Sequence, residues 1–342
     1  MGSGLSRHRL AQLVAEGSLV RKGRFLVVDC RWLPAAPDAL WRREIHMAIC
    51  SCSPRRRQEI VVFRRSAGAL WGMDGFGPGP VELATDRGSA GHDGAGYGRA
   101  GHGSAGHDGE GYGRAGHGRA GHGSAGGPVV HRVRPLLPRD RDRVGGLPIT
   151  SVTRSLLDLG QVSSTDTIER AVEWALRTGH TSIEAMKAAV SAADHLNLRG
   201  SRALRQALSR RPEGEPPTES DAETLFLQLV RRTGLPEPRR QFPVPTAEGT
   251  FRVDFAWPDR GLAVEVDGAG VHASRAALQR DLRRQNGIVL SLAAAGVRLL
   301  RFTWDDVSSV RYSRQVAVHL REAWTIGHLR EAWTIGLDHR PR

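Results

Sequence analysis

Cysteine is scarce in this 342-residue chain: Cys30, Cys50 and Cys52 are the only three. An odd count without a C-x-x-C pair implies neither a zinc ribbon nor a disulfide framework, and a reducing cytoplasm is the expected compartment. Lysine is nearly absent, with Lys22 and Lys187 the only two among 49 basic residues. No run approaches ~20 consecutive apolar residues, which excludes a transmembrane helix and leaves no membrane partner to expect. The N-terminus lacks the charged-then-apolar pattern of a secretory signal, so secretion is not expected. Large apolar side chains are missing from residues 88–127, which hold 17 of the 41 glycines. The rest of the chain is long enough for two or three domains at ~100–200 residues each.

What is abundant is arginine, and with it a net charge of +13. Part of that bias reflects coding composition, but the guanidinium also forks onto phosphate better than any other side chain. A nucleic-acid partner is the expectation that follows from such a charge.

Residues 5–16 place Leu5, Leu10, Leu13 and Val14 at roughly helical spacing, with Arg7, His8, Arg9 and Gln12 on the other side. Two apolar runs then flank Arg21, Lys22, Gly23 and Arg24, which reads as a hairpin with a basic tip. A basic helix followed by a basic hairpin is the closing part of a winged helix-turn-helix. Two further helices normally precede it, and only four residues do so here, so the expected module is partial or truncated, over residues 1–33. An amphipathic helix and hairpin packed on another element would give the same pattern.

Further along, residues 41–52 and 64–73 read as helices, the second ending at Gly72, and 81–85 and 129–135 as strands. Between these strands GSAGHDGAGYGRAGH recurs as GSAGHDGEGYGRAGH and then decays. This Gly/His-rich repeat is expected to be a disordered, expanded hairpin turn without preorganised metal geometry. From residue 144 the chain reads as helical, with Thr150 or Ser151 as N-cap and further helices from 165 onward, making 34–210 an α+β, mainly helical region. Residues 211–217, RPEGEPP, are the expected linker. HLREAWTIG occurs at 319–327 and again at 328–336. Nine residues is ~2.5 helical turns, so the second copy cannot bury the same face, and a frayed duplicated tail is expected over 326–342.

The chemistry concentrates after the linker, in residues 218–325. Glu219 and Glu223 stand four apart on a predicted helix. Two strands, 250–257 and 262–267, flank the turn Pro258-Asp259-Arg260-Gly261. Strict alternation puts Phe251, Val253, Phe255 and Trp257 on one face of the first, with Arg252 and Asp254 on the other. In the second, Leu262, Val264 and Val266 face one way and Ala263, Glu265 and Asp267 the other. Pairing the apolar faces gathers Asp254, Glu265 and Asp267. Carboxylates crowded in this way repel each other, and a divalent cation such as Mg²⁺ or Mn²⁺ relieves them, taking a few carboxylate oxygens together with substrate phosphate. His272 follows as an acid, base or ligand. Arg280, Arg283 and Arg284 on the next predicted helix are placed to hold backbone phosphates, and a strand over 297–307 carries Arg301 and Trp304.

The motifs Ser220-x-x-Glu223, RVDFAWPD (252–259), AVEVDG (263–268), His272, RDLRRQN (280–286) and RLLRFTWDDV (298–307) resemble a bacterial domain-of-unknown-function family. That family is related to very-short-patch-repair endonucleases within the restriction-endonuclease-like PD-(D/E)XK superfamily. The resemblance implies a mixed sheet flanked by helices, a metal held by Asp254 and Glu265, a contribution from Glu223 and assistance from His272. One departure stands out: the superfamily usually has lysine two residues after the second acid, and this chain has Asp267. Residues 5–180, apart from the glycine-rich insert, are similar to AbiEi-type antitoxins, most specifically at 145–160. Together these readings give an α/β (α+β overall) cytoplasmic protein. It would dock on DNA through Arg7, Arg9, Arg21, Lys22 and Arg24 and hydrolyse phosphodiesters with its C-terminal domain. The alternative is a transcriptional regulator or antitoxin, partnered by a cognate toxin, whose nuclease fold is inactive. The short winged helix, the swollen repeat and the terminal duplication also fit a decaying gene product.

Overall fold

The computed structural model describes residues 12, 19–21, 27–29, 37–52, 60–86, 128–133, 136–195, 200–246, 249–268 and 275–326. The fold is α/β, with two mixed sheets and helices around them. The chain divides into two compact units, with the main boundary between Leu208 and Ser209. No described helix is long and apolar enough to cross a membrane.

Near the N-terminus, strands β1 (Leu19–Arg21) and β2 (Val27–Asp29) pair antiparallel, Arg21 opposite Val27. The first helix of the expected winged helix and the basic tip lie outside the described residues, except for Gln12 and Arg21.

The main body of the first unit is a five-stranded sheet. Helix α1 (Pro37–Ser51) precedes β3 (Val61–Val62), α2 (Arg64–Trp71), β4 (Glu82–Asp86), β5 (Val129–Val133), β6 (Arg141–Val144) and β7 (Leu147–Thr150). The strand order is β5-β4-β3-β7-β6. Helix α2 ends as the sequence predicts, because Gly72 takes a left-handed conformation at φ 80° that closes the last turn. Two expectations are corrected. Strands β4 and β5 pair in parallel, from Glu82 opposite Val129 to Asp86 opposite Val133. The insert between them is therefore not a hairpin turn, since a parallel pair needs a crossover. The chain also does not turn helical at 144. Gly145 and Gly146, at φ 56° and 81°, close a β6–β7 hairpin whose turn demands positive φ at both positions. Helix α3 (Val152–Leu159) starts only after it, and α4 (Thr165–Arg177), α5 (Ile183–His195) and α6 (Ser201–Ser209) follow. Ile168, Ala171, Val172 and Ala175 are buried on α4, as their spacing predicts.

In the second unit, α7 (Asp221–Thr233) leads into β8 (Arg239–Thr246), β9 (Gly249–Trp257), β10 (Leu262–Asp267), α8 (Arg275–Ala294), β11 (Arg298–Thr303), α9 (Trp304–Ser308) and α10 (Val310–Ile326). The sheet order is β11-β10-β9-β8. Strands β9 and β10 are antiparallel; β10 and β11 are parallel and joined through α8. One face of the sheet packs Phe255, Trp257, Leu262, Val264, Val266 and Phe302 against Phe226 and Val230 of α7 and Val316 and Leu320 of α10. The opposite face packs Val244, Val253, Ala256 and Ala263 against Ile288 and Leu292 of α8. The first HLREAWTIG copy lies within α10 up to Ile326, burying Leu320 and Ala323; the second lies outside the described residues.

Phe255 is fully buried, its ring stacked 4.9 Å from that of Phe226, which in turn stacks on Phe302 at 6.0 Å. Phe255→Ala is expected to lower the unfolding free energy of this unit by ~3–5 kcal/mol in urea titration. Leu290→Ala, at a position 71% exposed, should stay within about 0.5 kcal/mol of the parent.

Candidate functional site: an acidic break in the second sheet

Residue pairing between β9 and β10 runs Trp257–Leu262, Ala256–Ala263 and Phe255–Val264, and stops there. Continuing the count would set Asp254 opposite Glu265. At that point a side chain takes over from the ladder, because Asp254 Oδ2 accepts a hydrogen bond from the Val266 N–H at 2.7 Å. On the other side of β9, Arg240 lies opposite Phe255 and Phe242 opposite Val253, while Gln241, between them, sits at φ 49°. That left-handed backbone is costly for a residue with a side chain, by ~1–3 kcal/mol, and such strain concentrates at working sites.

The break corrects the alternation read from the sequence. Phe251 and Val253 pack on the α8 face, whereas Phe255 and Trp257 pack on the α7 face, so the four residues do not share one side. The phase slips by one residue at Asp254. Strand β10 keeps its phase: Leu262, Val264 and Val266 share the α7 face and Ala263 the other.

Glu223 enters from the first turn of α7. Ser220 caps that helix by accepting from the Glu223 N–H at 3.2 Å. The Glu223 carboxylate accepts in return from the Ser220 hydroxyl at 2.9 Å and the Glu219 N–H at 2.9 Å. Gln241 Nε2 donates to the same carboxylate at 3.2 Å, which gives the strained backbone a purpose. Glu223 is only 4% exposed. Burial, reinforced by the nearby negative charge of Asp254, pushes its pKa up to about 7; the Glu219 N–H and the Ser220 hydroxyl pull the other way.

Glu265, at 5% exposure, is compensated from the neighbouring strand. Parallel pairing sets it directly beside Arg301, whose Nε lies 3.4 Å from Glu265 Oε2. Arg301 Nη2 also donates to both oxygens of the more exposed Asp267, at 2.8 and 2.9 Å. The structure therefore gathers two acid pairs around the break. Asp254 lies close enough to Glu223 to raise its pKa, and Glu265 is bridged to Asp267 through an arginine. Hard carboxylate oxygens on neighbouring strands suit a small divalent cation by chemistry. Among the described residues, no three His, Cys, Asp or Glu side chains form a ready metal-holding group.

Of the other residues named from the sequence, His272 lies outside the described residues, as do Arg7, Arg9, Lys22 and Arg24. Arg21 belongs to β1, and Arg280 and Arg284 to α8, with their side chains undescribed; Arg283 on α8 is exposed. Sequence reasoning missed strand β8, Gln241 and the part played by Arg301. The Phe242/Val244 alternation hints at β8, but Pro243 and Pro245 argue against a strand unless it lies at an edge, which is where β8 lies.

Glu223 has a consequence for stability. Its folded pKa of about 7 stands above the ordinary 4.5, so folding takes up a proton between these values and stability falls as pH rises through that window. Below about pH 4.5 the effect vanishes, because both states are protonated. Glu223→Gln removes this dependence. Relative to the parent, the variant should gain up to ~3 kcal/mol between pH 5 and pH 8, read from urea unfolding at the two pH values.

No family model matches the chain, and no solved structure matches it. Over 158 residues it is 31% identical to the uncharacterized proteins MT2308 and Rv2248 of Mycobacterium tuberculosis, strains CDC 1551 / Oshkosh and ATCC 25618 / H37Rv. The match covers 45% of this chain and 57% of each relative, so the chain spans little more than half the length of the curated relatives it matches.

Proposed function

We propose that the second unit is a divalent-metal-dependent endonuclease that hydrolyses DNA phosphodiesters in a cytoplasmic protein. The observation that carries this reading is the sheet break at Asp254, whose carboxylate accepts from the Val266 N–H beside Glu265 on β10, with the buried Glu223 near enough for the Asp254 charge to raise its pKa. Asp254 and Glu265 would hold Mg²⁺ or Mn²⁺, which when bound stabilises the charge that develops on a cleaved phosphate and acidifies a bound water. Glu223 is suited to accept a proton from an attacking water near pH 7, because burial raises its pKa to about 7. Gln241 holds that carboxylate in orientation. His272 follows β10 by five residues and would share in proton transfer. Arg280, Arg283 and Arg284 recur along α8 and would position backbone phosphates. Arg7, Arg9, Arg21, Lys22 and Arg24 would supply a second, salt-sensitive DNA contact.

One observation favours a second reading. Where the resembled superfamily carries lysine, Asp267 instead pairs with Arg301, which ties up a cation that would otherwise face a phosphate. A DNA-binding regulator or antitoxin with an inactive nuclease fold, bound to a cognate toxin, fits that feature.

The two readings separate on supercoiled plasmid incubated with the full chain and Mg²⁺. The nuclease reading expects nicking that EDTA abolishes, that Asp254→Ala reduces to background, and that Glu223→Gln slows by ~10²-fold. Salt-dependent gel-shift of the plasmid with no nicking at any Mg²⁺ or Mn²⁺ concentration would establish the second reading.

A further inference from the structure

We infer that Arg301 is an internal counter-ion of Glu265 that competes with a divalent cation for that carboxylate, and that Asp267 retains the arginine when the cation displaces it. The inference rests on the metal-dependent reading above and adds a control on metal loading that no sequence motif announces.

Glu265 is 5% exposed, and a buried carboxylate without a compensating charge is strongly disfavoured. The compensation at hand is Arg301, placed by backbone register rather than by a flexible reach from a loop, since the two residues are direct partners across the parallel β10–β11 ladder. Its two arms differ. Nη2 holds both Asp267 oxygens at 2.8 and 2.9 Å, the range of a strong charge-assisted hydrogen bond. Nε stands 3.4 Å from Glu265 Oε2, beyond that range. The longer contact is on the buried acid, and the tighter one is on Asp267, whose side chain is 53% exposed.

A cation held by Glu265 would share that carboxylate with the Arg301 guanidinium, whose Nε stands 3.4 Å from Oε2. Two positive centres on one carboxylate repel, and the repulsion is poorly screened beside a buried group. The inequality of the arms sets the outcome: the weak contact breaks, and the strong one keeps the arginine at the rim of the site. Asp267 is therefore an anchor for Arg301, and its departure from lysine in the resembled superfamily becomes part of a charge-exchange device. Metal affinity is held down by a residue of the protein itself.

Calorimetric titration of the full chain with MnCl₂ tests this. Arg301→Gln should bind Mn²⁺ about tenfold more tightly than the parent, equivalent to ~1.4 kcal/mol, and Arg301→Lys, which keeps the charge, should stay within about twofold. Asp267→Asn should weaken binding by releasing the arginine onto Glu265, and the double variant Asp267→Asn/Arg301→Gln should return to the tight binding of Arg301→Gln. Equal or weaker binding by Arg301→Gln overturns the competition and leaves the metal site standing. A double variant as weak as Asp267→Asn makes Asp267 a ligand and also overturns it. Absence of Mn²⁺ binding in the parent and in Arg301→Gln alike, with both cooperatively folded in urea, removes this inference and the metal-dependent reading together.

Discussion

Where β9 and β10 stop pairing, a backbone N–H in the middle of a sheet would be left without an acceptor, and the Asp254 carboxylate supplies one. The 2.7 Å bond from the Val266 N–H to Asp254 Oδ2 lets the ladder end without an orphaned donor. Much of the second unit follows from that substitution. Because the ladder ends there, β9 can change phase between Val253 and Phe255 and serve both faces of the sheet, α8 on one side and α7 on the other. On the adjoining strand, beside the same point, Gln241 sits at φ 49° and its amide reaches Glu223. A side chain that closes a backbone gap is also fixed in position, which is what a group meant to present its charge requires.

The acids themselves were legible in the sequence. Asp254, Glu265 and Asp267 alternate with apolar residues on strands bounded by a Pro-Asp-Arg-Gly turn, and Glu223 follows a capping serine by three residues. What could not be read was the slip at Asp254. Alternation assumes an unbroken pleat, and nothing in Phe251, Val253, Phe255 and Trp257 announces that the first two will pack with Ala256 and the last two with Leu262. Nor could the sequence show that Arg301 stands beside Glu265, because the register of a parallel pair is set by the crossover between the strands and leaves no local mark. In the first unit the unread element left a clear signal. Gly145-Gly146 is the turn chemistry of a two-residue hairpin, but Val152, Leu156 and Leu159 dominate the window and draw it toward helix.

The glycine-rich insert illustrates a different limit. Two short strand-like runs on either side of a low-complexity segment look like a hairpin from sequence alone. The same runs serve equally well as parallel neighbours, and Glu82–Val129 through Asp86–Val133 are parallel. A loop long enough to return the chain to the start of β4 permits parallel pairing, and the closure cost of extra length grows only slowly.

The two units handle buried acids in opposite ways, and the contrast separates structural charge from working charge. Asp158, 3% exposed, is closed by Arg154 one helical turn before it, Nε to Oδ2 at 2.8 Å, and Arg154 is itself buried and shared with Asp140. Burial raises the Asp158 pKa to about 6 while Arg154 opposes the rise. Arg154 and Asp158 are both buried and pair one turn apart on the same helix, so removing either would leave the other charge buried and unpaired. Glu223 and Glu265 differ in this respect. The first is met by neutral donors, Ser220, Gln241 and a backbone N–H, none of which balances its charge. The second is met by an arginine that already has a better partner at the surface. Acids compensated in these two ways can take on a new positive charge without leaving an old one stranded. On the metal-dependent reading proposed above, that freedom, rather than the number of carboxylates, would let the break at Asp254 take up a cation, while the Arg154–Asp158 pair is closed within its own helix.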